Sequence, residues 1–121
     1  MDIIFLNGLE ISTIIGIFDW ERKTHQTVIF DLEMAFDIKP AANSDDIKDT
    51  LDYKAVSERI IEFGENNHFF LVERLAEEVC KLVMTEFNVP WMKLTLNKKG
   101  ALTRAVDVGV MIERGEKMPC L

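Results

Sequence analysis

The sequence predicts an α+β fold, a four-stranded antiparallel sheet with two helices on one face in the order β-β-α-α-β-β. Three observations carry that expectation. An alternating apolar pattern runs through Thr27 to Ile38, two stretches of helical periodicity follow between Tyr53 and Phe87, and alternation returns after Pro90. Strands bracketing a pair of helices make a two-layer arrangement in which the helices shield one side of the sheet.

The first strand is expected in Ile3 to Phe18, a stretch rich in Ile, Phe and Leu and interrupted by Asn7-Gly8 and by Gly16. Those interruptions predict a bent or bulged strand. Asp19 to Gln26 is polar and links it to the second strand. There Val28, Phe30, Leu32, Met34, Phe36 and Ile38 alternate with Ile29, Asp31, Glu33, Ala35 and Asp37, which gives one apolar face. Pro40 to Asp52 carries Pro, Ala, Asn, Ser and four aspartates and is expected to be a loop. The first helix places Tyr53, Val56, Ile60 and Phe63 on one stripe and is expected to stop at Gly64. The second places Leu71, Leu75, Val79, Leu82 and Phe87 on its stripe and ends at Asn88 and Pro90. In Trp91 to Lys98 the residues Met92, Leu94 and Leu96 share a face. Val108, Val110 and Ile112 make the last strand, and the tail from Glu116 to Leu121 has no pattern.

One domain is expected over residues 1–121, with its core in about 2–114 and a C-terminal tail in 115–121. Helices cover only one face of the sheet, and both sheet edges stay open. Open edges are a liability, and joining sheets edge to edge into a ring removes them, so an oligomer is expected.

Composition narrows the function classes. The chain has a net charge of -7 and a pI near 4.8, with hydrophobic residues at 48%. Nucleic-acid binding needs a basic stripe. Lys98-Lys99 with Arg104 is the densest basic stretch, so no nucleic-acid partner is expected. No apolar run approaches the roughly 20 residues of a membrane span, and the N-terminus lacks the features of a signal peptide. A cytoplasmic protein without a membrane partner is expected. Cys80 falls in a helical apolar pattern and is expected to be a core residue, and Cys120 in a loose tail. His25 and His68 stand far apart, and no spacing suggests a metal site.

Four positions invite chemistry, and each has two readings. Glu21 is either a solvated loop carboxylate beside Trp20 or a site residue. Tyr53, the only tyrosine, is either a core aromatic in the capping region of its helix or a site residue. Glu73 lies nearly opposite Leu71 and Leu75 on the helical wheel, in the first turn. It is either a surface residue favoured by the helix dipole or an acceptor for a forked pair of N–H donors. Lys98 ends the apolar face of its strand while Lys99 alternates away. Lys98 is either snorkelling at a strand end or a partly desolvated group suited to acid/base work.

Several stretches, taken in order, carry a resemblance. They are Gly16-Ile17-Phe18-Asp19-Trp20-Glu21, Phe30-Asp31-Leu32-Glu33, Ala41 to Asp46, Thr50-Leu51-Asp52-Tyr53, Leu71-Val72-Glu73-Arg74, and Lys98 followed by Gly109 to Arg114. On these the chain closely resembles the bacterial dihydroneopterin aldolase family over about residues 2–114. The resemblance implies the tunnelling fold. Four sheets would close into a β-barrel ring with helices outside, and two stacked tetrameric rings would form a homo-octamer with active sites between subunits. It implies no cofactor and no metal.

The implied reaction is retro-aldol cleavage of 7,8-dihydroneopterin, a reduced pterin of folate biosynthesis, to 6-hydroxymethyl-7,8-dihydropterin and glycolaldehyde. Epimerisation at C2′ commonly accompanies it. Carried over by position, Glu73 matches the anchor for the pterin 2-amino group and N3–H, and Val72 matches a backbone contact to the ring. Lys98 matches the catalytic lysine, Tyr53 a catalytic tyrosine from the neighbouring subunit that also touches substrate, and Glu21 a carboxylate near both the substrate side chain and the lysine. The family often has Lys-Pro-Gly where this chain has Lys98-Lys99-Gly100. Without the proline, Lys98 is expected to be held more loosely, and both lysines stay candidates, with alternation and alignment favouring Lys98. Two rival functions stand beside this one. The first is a dihydroneopterin triphosphate epimerase, which would need Lys99, Lys23 and Arg22 as phosphate ligands. The second is a non-catalytic oligomeric pterin-binding module.

Overall fold

The computed structural model describes residues 1–117. Five strands form one sheet in the order β3-β1-β2-β4-β5. They are β1 (Asp2–Ile15), β2 (Gln26–Phe36), β3 (His68–Phe69), β4 (Trp91–Asn97) and β5 (Gly109–Gly115). The four long strands pair antiparallel, as the alternation predicts. The fifth was not expected. Two residues of β3 run parallel to the end of β1, Ile14 opposite His68 and Ile15 opposite Phe69, so the sheet is mixed.

One phase of the alternation points to the helices. Val28, Phe30, Leu32 and Met34 of β2 and Met92, Leu94 and Leu96 of β4 are fully buried. They meet Leu75, Val79 and Val83 of α3 (Val72–Glu86) and Val56 and Ile60 of α2 (Tyr53–Glu65) in one apolar cluster. Helix α2 lies on β1, and α3 lies on β4 and β5. Burying a side chain of this size stabilises the fold by about 1.5–3 kcal/mol. Cys80 belongs to this core, and burial pushes its thiol up to about 11, which makes it inert. Cys120 lies outside the described residues.

Three details depart from the sequence-based expectations. Within Pro40 to Asp52 the chain forms a short helix, α1 (Lys39–Ser44), and a 3-10 turn, Ile47–Asp49. Proline is tolerated in a first helical turn, and Asp45 caps α1 in the left-handed region with φ 55°. Helix α2 does not stop at Gly64 but continues to Glu65. Gly64 is there because α2 passes close to β1, where a Cβ would run into the Ile11 side chain. Strand β2 ends at Phe36, since Ile38 already adopts helical angles.

Strand β1 is bulged. Its pairing with β2 shifts between Leu6 and Leu9, and the Gly8 N–H donates to Asp31 Oδ1 at 2.7 Å. On the helix-free face Phe5, Glu33, Lys93 and Glu113 stand opposite one another across the four long strands. Phe5 and Met111 remain exposed there. Among the described residues no strand pairs with the outer side of β5, nor with the edge of β1 away from β2 before Ile14. No helix among them is long and apolar enough to cross a membrane.

Candidate active site

A cavity of about 320 Å³ opens where the ends of β1, β3 and β4 meet the start of α3. Ligand sites begin at roughly this size. Its apolar walls come from Ile15, Phe18, Trp20, Phe70, Leu71 and Val108, and Glu21, Gln26, Glu73 and Lys98 contribute polar groups.

Glu21 starts a 3-10 turn (Glu21–Lys23) that follows β1, and the turn swings its carboxylate inward. The residue is 4% exposed. Its Oε2 accepts from Lys98 Nζ at 2.6 Å and from Gln26 Nε2 at 3.3 Å, and its Oε1 accepts from the Phe18 N–H at 3.2 Å. Gly16 makes room for this carboxylate. It sits at φ 130°, and a Cβ there would overlap the Glu21 carboxylate.

Burial alone would raise the Glu21 pKa. The hydrogen bonds from Lys98, Phe18 and Gln26, joined by the Lys98 charge, outweigh it and hold the carboxyl below its usual 4.5. A carboxyl depressed in the folded chain stabilises the fold above its unfolded pKa, and that contribution is lost as pH falls through the folded value. Glu21→Gln should therefore lower the melting temperature at pH 7, and the gap to the parent should close below about pH 4. Melting curves across that range check it, and a gap that does not change with pH would mean the pair does not form in solution.

Lys98 follows β4. Its N–H donates to Val108 O at 2.6 Å, the last rung between β4 and the segment entering β5. The Ala101 N–H donates back to Lys98 O at 3.3 Å, closing a turn with Lys99 and Gly100 at its centre. Gly100 has φ 78°, which suits the third position of a type II turn. Proline is favoured at the second position of such a turn, where this chain has Lys99. In place of a proline, the rung, the turn and the Glu21 contact are what position Lys98. Lys99 turns outward, with its Nζ 3.9 Å from Asp107 Oδ1.

Val72 and Glu73, the first residues of α3, line the same cavity, and Glu73 is exposed. Glu21, Lys98, Val72 and Glu73 therefore meet around one space. Tyr53 does not join them. It begins α2, where Asp52 caps the helix by accepting from Lys54 and Ala55 at 3.1 Å, and its side chain is 60% exposed. Sequence reasoning missed Gln26, one polar residue among several in a segment taken as a linker. Its amide donates both to Glu21 and to Ile15 O at 2.8 Å, contacts no local pattern announces. Among the described residues no group of three or more His, Cys, Asp or Glu is placed to hold a metal ion.

Comparisons with known proteins agree in direction. The family model for FolB, dihydroneopterin aldolase, matches residues 4–113. The dihydroneopterin aldolase of Escherichia coli (strain K12) is 47% identical over 118 residues, covering 98% of this chain and 97% of that one. The crystal structure of E. coli dihydroneopterin aldolase in complex with neopterin superposes with a TM-score of 0.92 at 48% identity, covering 95% of this chain and 100% of that chain. The dihydroneopterin triphosphate 2′-epimerase of E. coli (strain K12) is also similar, at 30% identity over 110 residues, 91% of this chain and 92% of that one.

Proposed function

Because the chain belongs to the dihydroneopterin aldolase family, we infer that it cleaves 7,8-dihydroneopterin by a retro-aldol reaction to 6-hydroxymethyl-7,8-dihydropterin and glycolaldehyde. The observation that carries the reading is the polarity of the cavity. The Glu21–Lys98 ion pair and the start of α3, with Val72 and the exposed Glu73, line one and the same space. A pterin in this space sets its 2-amino group and N3–H on the Glu73 carboxylate, a forked donor on two acceptor oxygens, and its ring against the Val72 backbone. Its side chain then faces Glu21 and Lys98.

In this mechanism the C2′ hydroxyl gives up its proton and becomes the glycolaldehyde carbonyl. The C1′–C2′ bond breaks, and its electron pair passes into the C6=N5 imine of the pterin. A proton at N5 stabilises the resulting enamine, and protonation at C1′ releases the product. Lys98, held by Glu21, manages the proton near N5 through water. Tyr53 from a neighbouring copy works on the hydroxyl and C1′ protons. If the aldehyde turns over before leaving, re-forming the same bond inverts C2′, which is how one site acts as both aldolase and epimerase.

Assembly follows from the same reading. The exposed cavity rim (Phe18, Trp20, Phe70), the exposed Tyr53 and the open outer sides of β1 and β5 suit two stacked four-membered rings, an octamer whose sites are completed between subunits. The triphosphate alternative is weaker. Of its three cations, Arg22 is taken up by the main-chain oxygens of Gly16 and Phe69, and Lys99 lies beside Asp107.

The test is direct. Purified protein incubated with 7,8-dihydroneopterin in excess chelator should release glycolaldehyde at the rate seen without chelator, and borohydride should trap no lysine adduct. Zinc-restored activity after chelation, or a reduced lysine adduct, would overturn the cofactor-free reaction.

A further inference from the structure

We propose that Arg22 is a positioning residue that ties the acid/base pair of the cavity to its pterin-anchoring residues. This rests on the cavity being a pterin site. Arg22 does not line the cavity; it sits behind the wall. Its Nη1 donates to Gly16 O at 3.1 Å and to Phe69 O at 2.6 Å, and its guanidinium carbon lies 4.1 Å from the centre of the Phe70 ring. The Gly16 N–H donates to the same Phe69 oxygen at 3.1 Å.

These contacts join two segments with different duties. Gly16 opens the loop whose Phe18 N–H holds Glu21, and Arg22 follows Glu21 in the same 3-10 turn. Phe69 ends β3, and Phe70-Leu71 lead straight into Val72 and Glu73.

The second segment needs such a hold. Leu71, at the N-cap of α3, makes no side-chain capping bond, and β3 pairs with β1 through only two residue pairs. A strand that short contributes little by itself. Arginine suits the task, because one planar, permanently charged group can bridge two carbonyls and still lie flat on an aromatic ring. Lysine keeps the charge but cannot meet all three partners at once.

Arg22→Gln and Arg22→Lys test this against the parent by titration with 6-hydroxymethyl-7,8-dihydropterin and by kcat and KM across pH. The product Kd and the KM should rise about tenfold in Arg22→Gln and less in Arg22→Lys, as for one lost charge-assisted contact. The pH profile of kcat should keep its position, since the Arg22 side chain makes no contact with Glu21 or Lys98. A merely structural arginine would lower the melting temperature and leave Kd and KM within twofold. That result, a shifted kcat profile with unchanged KM, or failure of both variants to fold overturns the proposal. Failure of the parent to bind the product overturns the pterin reading, and this inference with it.

Discussion

Lys98→Ala is expected to lower kcat by about 10²–10⁴, the usual range for a lost general acid/base, while the pterin product still binds. Lys99→Ala should keep most of the activity. The two lysines are neighbours in sequence with opposite surroundings. The Lys98 side chain is 15% exposed and reaches Glu21 at 2.6 Å inside the cavity wall. That of Lys99 is 54% exposed and paired at 3.9 Å with a still more exposed Asp107. A surface pair of that kind is worth little. Removing the Lys98 amine strips the buried Glu21 of its cation in any neutral variant; Lys98→Met loses the same amine but keeps the stem, so its difference from Lys98→Ala isolates the packing contribution. Steady-state kinetics on assembled protein decide the matter. A collapse in Lys99→Ala with Lys98→Ala near the parent would reverse the assignment.

The second large effect is on binding. Glu73→Gln should weaken product binding by roughly thirty- to a hundredfold, or about 2–3 kcal/mol. The amide keeps the shape but replaces one acceptor with a donor, and that donor faces an N–H of the pterin. Glu73 is exposed in the isolated chain, so the energy arises only when the ligand covers it. Because the ring is anchored far from the scissile bond, kcat at saturating substrate should change much less than KM. Calorimetry with the product checks the first expectation. Binding within a factor of three of the parent would return Glu73 to the role of a surface residue favoured by the helix dipole.

Much of the fold was legible in the sequence. Strands β2 and β4 and helices α2 and α3 each bury one face, and a buried face imposes a period on the residues that fill it. The missed elements have no period to show. Two residues of β3 cannot display alternation, and their partners Ile14 and Ile15 are over fifty positions away. Helix α1 is six residues long, buries none of them, and so leaves no stripe. The site divides the same way. Lys98 could be singled out because it ends an apolar face, and Glu73 because it opposes one. That Glu21 meets Lys98 across 77 positions followed only from resemblance, since no local rule joins a polar turn to a distant strand end. Gln26 and Arg22 act on main-chain oxygens, which carry no signature in the sequence of the residues that own them. Tyr53 lies outside the cavity of a single chain, so the role proposed for it requires a second copy.

The bulge in β1 has an effect well beyond its own position. On β2 the helix-facing residues keep strict even spacing, Met34, Leu32, Phe30, Val28 and Gln26. Their partners on β1 do not. They are Ile4, Leu6, Leu9, Ile11 and Thr13, even-numbered before the bulge and odd-numbered after it. The strand thus carries two phases of alternation, and the single extra residue between Leu6 and Leu9 converts one into the other. A regular strand over the same residues would turn Ile11, Thr13 and Ile15 to the helix-free side. Gly16 follows directly, so the wall behind Glu21 would rotate with them. The orientation of the cavity is set in part by a one-residue insertion midway along the strand, among residues that do not line the cavity.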